Sequence, residues 1–158
     1  GLINSVNGKM GFCIANFPDD VSDIVRKAAM MHEMGHAYFY GALRIKHKQP
    51  LSEQVDSKDK EQKDSLKKAT KFVDSFGKID DDIRKQAEES VVDVKGQDKE
   101  TMLQEAISAY MVSPYAAKTS EEHFAEAFSR YFILPEQLKK KEEAVYKHFN
   151  EFFGKYEG

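Results

Sequence analysis

Cysteine is all but missing: Cys13 stands alone in 158 residues. That excludes an internal disulfide and any zinc site built from several thiolates. In its apolar, strand-like run Cys13 is expected to serve as a small buried hydrophobe. Basic excess is missing too. Lys and Arg number 24 against 27 Asp and Glu, a net charge of −3, so the footprint of a nucleic-acid binder is absent. The short run Lys139-Lys140-Lys141 meets Glu142 and Glu143 at once and reads as a solvated helix face. No hydrophobic run approaches transmembrane length and no signal-peptide pattern opens the chain, so no membrane partner is expected. The first residue is Gly1 rather than Met, as expected of a processed product or an excised domain. One cysteine suits a secreted bacterial protein as well as a cytosolic one, which leaves the compartment and the oligomeric state open.

What is present suffices for one domain spanning 1–158, since 41% of residues are hydrophobic. Met10, Phe12 and Ile14 alternate with smaller residues and predict a strand over 9–17, closed by Pro18-Asp19-Asp20. Asp20 is placed to cap a helix over about 21–45, with Asp23 at the capping-box position. From about 50 to 112 the chain is rich in charge. Leu66, Ala69, Val73 and Phe76 form one helical stripe, ending at Gly77; Ile79, Ile83, Ala87, Val91 and Val94 form a second, ending at Gly96. A third carries Met102, Leu103, Ala106, Ile107, Tyr110 and Met111 up to Ser113-Pro114. This region is expected to be a helical insertion, either a space-filling bundle or a lid. A capped helix from Thr119 or Ser120 follows, and beyond Pro135 a final amphipathic helix carries Leu138, Val145, Phe149, Phe152 and Phe153. The expected class is α+β, mainly helical, with a small sheet.

Chemistry concentrates in Met30-Met31-His32-Glu33-Met34-Gly35-His36-Ala37-Tyr38-Phe39-Tyr40, where three ionisable side chains interrupt apolar and small residues. Buried charges without partners cost several kcal/mol, on the order of a whole fold's margin. His32 and His36 are four apart, so both imidazoles stand on one helix face and suit one metal ion. Glu33 is rotated by about 100° and borders that face, where it suits a general base acting on water. A pair of satisfied core histidines is the bland alternative. Gly35 costs a mid-helix position about 1 kcal/mol relative to Ala and is expected to admit another segment or a substrate. The longer H-E-x-x-H-x-x-G-x-x-H pattern is excluded, because Phe39 and Ala42 stand where Gly and His are required. His47 lies three turns beyond His36, so the third ligand must come from elsewhere.

The stretch Tyr115-Ala116-Ala117-Lys118-Thr119-Ser120-Glu121-Glu122-His123-Phe124-Ala125-Glu126-Ala127-Phe128 offers one. Glu122 and Glu126 share a helix face. One division has Glu122 bind the metal while Glu126 accepts a hydrogen bond from a ligand histidine. The alternative makes Glu122 a capping-box partner of Thr119. His123 points about 100° away and suits packing or substrate contact better than ligation.

H-E-M-G-H together with E-E-H-F-A-E-A-F resembles the catalytic domain of anthrax lethal factor and its relatives, including the secreted clostridial Pro-Pro endopeptidases. The resemblance implies a zincin-like fold, a zinc ion on His32, His36 and Glu122, and Glu33 as general base. It also implies an oxyanion-stabilising hydroxyl from Tyr115, which stands seven residues before Glu122. A peptide or protein substrate follows, as does secretion or delivery of a bacterial, toxin-like protein. The strand at 9–17 is a candidate edge for an extended substrate. Two features depart from those relatives: 85 residues separate His36 from Glu122, and the segment before the motif helix is short. The rival function is a catalytically silent binding module on the same fold.

Overall fold

Helical periodicity dominates the chain, and the computed structural model, which describes residues 3–6, 9–12, 22–46, 60–92, 96 and 98–154, is built accordingly. Its helices are α1 (Asp23–Lys46), α2 (Lys60–Ser90), α3 (Asp98–Tyr110), α4 (Ser120–Ile133), α5 (Pro135–Lys141) and α6 (Glu143–Phe153). Before them, β1 (Ile3–Val6) and β2 (Lys9–Phe12) pair antiparallel, with Ile3 opposite Phe12.

The α+β, zincin-like expectation is corrected here. The packed body is all-helical, helix on helix, and its core residues come from helices and the loop before α4. Among the described residues, the sheet is a ribbon of two four-residue strands paired with each other. Within β2, Gly11 weakens the alternation that Met10 and Phe12 carry. The rest of the predicted strand, Cys13 included, and the Asp20 cap lie outside the described residues.

Two further boundaries differ from the sequence pattern. α2 runs unbroken through Gly77 for 31 residues, because Phe72, Val73, Phe76, Asp80 and Ala87 continue one buried stripe across it. The burial of that stripe outweighs the cost of one glycine, about 1 kcal/mol. The predicted final helix is two helices, interrupted at Glu142, whose φ of −138° and ψ of 72° are not helical.

Phe76 of α2, Phe124 of α4 and Phe149 of α6 are fully buried and meet at the centre. Their ring centroids lie 5.1 to 6.1 Å apart, two of the three contacts edge to face. Thus the charge-rich stretch that begins near residue 50 supplies, through α2, part of the same core as α1 and α4. α1 packs chiefly against α4. At their closest point a Cβ on Gly35 would sit 2.9 Å from Ala125 Cα and 3.0 Å from Phe128 Cβ, so a side chain there is excluded. The segment that Gly35 admits is therefore α4. Ser129 Oγ adds a 2.6 Å hydrogen bond to the Ala28 carbonyl across the same seam.

Candidate metal centre

The seam brings together three of the residues singled out from sequence. His32 and His36, one turn apart on α1, hold their Nε2 atoms 3.1 Å from each other. Glu122 Oε2, from the first turn of α4, lies 3.1 Å from His32 Nε2 and 3.2 Å from His36 Nε2. Thr119 caps α4, its hydroxyl accepting the Glu122 N–H at 3.1 Å. The cap thus uses the backbone of Glu122 and leaves its carboxylate to the histidines, so capping and ligation do not compete.

The three atoms form a nearly equilateral triangle. Ligands bound at about 2.0–2.1 Å around one tetrahedral ion stand roughly 3.3 Å apart, close to what is seen. The chemistry of the donors fits as well. Burial lowers the pKa of His32, with His36 adding to the effect against the carboxylates nearby, so its ring is neutral at pH 7 and presents a lone pair. A neutral imidazole and a carboxylate turned to one point call for a cation. His32, His36 and Glu122 are the group among the described residues placed to hold a metal ion.

The other predicted residues surround this triangle. Glu33 is half-buried on α1, and its charge acts on both His32 and Tyr115. The Tyr115 ring centroid is 5.6 Å from that of His32, and Lys118 Nζ lies 4.5 Å over the tyrosine ring. The negative charge of Glu122, then partial burial, raises the pKa of the Tyr115 hydroxyl, which therefore keeps its proton. Glu126 Oε1 is 3.9 Å from His32 Nδ1, beyond hydrogen-bond reach, and its other oxygen is bound by Arg130. His36 Nδ1 is buried and finds no hydrogen-bond partner among the described residues.

A second cluster escaped the sequence pattern. His123 is fully buried, donating from Nδ1 to Asp80 at 2.7 Å and from Nε2 to Glu142 at 2.6 Å. Burial alone would lower its pKa, but the hydrogen bonds to Asp80 and Glu142 outweigh that and raise it. Burial likewise pushes Asp80 up, and hydrogen bonds from His123 and Arg84 bring it below its usual range. Glu142 is correspondingly not part of a solvated face, although Lys139, Lys140 and Lys141 are exposed. One signal was available: Asp80 occupies an apolar position of the α2 stripe, four after Phe76. Elsewhere, a groove of about 480 Å³ between α2 and α6 contains none of the candidate ligands.

The family described as glucose-regulated metallo-peptidase M90 matches residues 61–154, more than half of the chain. Tyr115, Glu122 and Glu126 fall inside the match; His32, Glu33 and His36 precede it. No curated protein and no solved structure matches the chain.

Proposed function

Because the chain belongs to the metallo-peptidase M90 family, we propose that it is a zinc-dependent endopeptidase whose ion is held by His32, His36 and Glu122. The convergence of those three ligand atoms within 3.1–3.2 Å of one another carries the reading. Two imidazoles and one carboxylate are a common protein ligand set for catalytic zinc. Zinc supplies a Lewis acid there, activating water and polarising the scissile carbonyl. Glu33 takes the proton of the attacking water and passes it to the leaving amine. The Tyr115 hydroxyl donates a hydrogen bond to the oxyanion that develops on the substrate. Glu126, held by Arg130 behind His32, makes no hydrogen bond to that ring and acts on it through its charge. Kinship to the lethal-factor group, and secretion or delivery of the protein, rest on the motif resemblance alone and belong to this proposal.

The test joins metal analysis to digestion of a peptide library. One zinc per chain is expected, with cleavage abolished by chelator and restored by zinc. Glu33→Gln should keep the zinc and slow cleavage by about 10²–10⁴-fold. Stoichiometric zinc with no peptide cleaved would instead make the chain a silent binding module. Purified protein without metal that takes up none would sink both.

A further inference from the structure

We infer that His123 is a positioning residue: pinned between Asp80 and Glu142, it fixes the first turn of α4 and the loop 111–119 so that Glu122 and Tyr115 face the metal centre. The inference rests on the metallopeptidase reading of that centre. His123 follows Glu122 directly, so the two side chains leave α4 about 100° apart. One goes to the histidines of α1 and the other into the core, where its ring lies 4.8 Å from that of Phe76. Hydrogen bonds to α2 and to the α5–α6 junction stop this turn from rotating, and rotation is what would swing Glu122 off His32 and His36.

The same cluster reaches the tyrosine. Glu142 Oε2 accepts the Val112 N–H at 2.9 Å. Asp80 Oδ2 accepts from Arg84 Nε at 2.9 Å, and Arg84 Nη1 donates to the Ala117 carbonyl at 2.9 Å. Val112 and Ala117 stand on either side of Tyr115, so the loop is gripped at two backbone atoms that flank it. Tyr115 is itself 43% exposed, so burial of its ring does not hold it in place; the burial of Ala116 and Ala117 and the backbone grip together anchor the loop that carries it. Buried ionic groups rarely improve on apolar residues of similar volume as a source of stability. The arrangement is better suited to aiming a turn and a loop than to strengthening the core.

The decisive variant is Asp80→Leu/His123→Phe/Glu142→Leu, which removes the three buried ionisable groups together and leaves Arg84, 23% exposed, with the Ala117 carbonyl as its partner. Its metal-free form should melt within about 5 °C of the parent. Titrated with cobalt(II) alone, it should bind about tenfold more weakly or worse, with an altered visible spectrum. The amides of 112–118 should exchange about tenfold faster. Arg84→Met, which spares both His123 hydrogen bonds, should speed exchange at 115–118 and leave the cobalt affinity and spectrum unchanged. A folded triple variant with parental cobalt affinity, spectrum and exchange would overturn the inference. If that variant does not fold, parental exchange at 115–118 in Arg84→Met overturns it. A parent protein that takes up no cobalt would refute the metallopeptidase reading instead, and the exchange rates of the metal-free chain would still decide whether the cluster grips the loop.

Discussion

Glu122 and Glu126 are the same residue type, one turn apart on one helix, and differ in what faces them. Glu122 meets two imidazole nitrogens, whereas Glu126 is turned to Arg130 and stops 3.9 Å short of His32. Removing the first deletes a ligand; removing the second takes away only a nearby charge, since Glu126 makes no hydrogen bond to His32. Glu122→Ala should therefore abolish stoichiometric zinc, while Glu126→Ala should weaken zinc binding by about tenfold or less, because no hydrogen bond to the ligand is lost. Competition with a chromophoric chelator measures both, and a reversal of the two effects would exchange their roles. This pair was legible because i, i+4 spacing is written in the sequence. The cluster around His123 was not. Asp80 opens the run Asp80-Asp81-Asp82 and Glu142 follows three lysines, contexts that look solvated until α2 and the α5–α6 junction close on α4.

Among the elements, α2 shows how far a pattern carries. Its apolar stripe predicts a helix with a stop at Gly77, but the buried face continues on both sides of that glycine and outweighs its propensity cost. Sequence periodicity likewise located α1, α3 and α4, since their burial is decided by their own spacing. It overstated the sheet, whose existence depends on partners that a local pattern cannot supply. The break at Glu142 was hidden for a related reason, because that residue leaves helical geometry in order to reach His123 and the Val112 amide. Gly77 now offers a clean test. A Cβ there meets nothing within 4 Å, so Gly77→Ala should raise stability by about 0.5–1 kcal/mol through helix propensity alone. Urea denaturation reads the change, and no gain would mean that α2 is broken there after all.

At the scale of the molecule, the buried triad ties stability to pH from two sides. Asp80 has a folded pKa below its ordinary 3.8. Its contribution is present above that value and is lost as pH falls through the folded pKa. His123 has a folded pKa above its ordinary 6.5. Its contribution is complete below that value and is lost as pH rises through the folded pKa. From the triad alone the metal-free protein should melt highest between about pH 4 and pH 6.5, with the melting temperature falling on either side, while His32, whose pKa burial lowers, works against the plateau below 6.5. In Asp80→Leu/His123→Phe/Glu142→Leu both slopes should flatten. A parent melting temperature that climbs steadily from pH 6.5 to 8 would contradict this.

Gly35 leaves no slack between α1 and α4, and the candidate ligands lie on both sides of that seam. An ion bound there would be a clasp across 86 residues of chain, the interval from His36 to Glu122. Free zinc at a hundred times its Kd would add about 2.7 kcal/mol to stability, and a chelator should lower the melting temperature accordingly. Scarce zinc would then do more than idle the enzyme. It would undo the clasp, shrink the margin that holds α1 against α4 by that amount, and make the seam open more often.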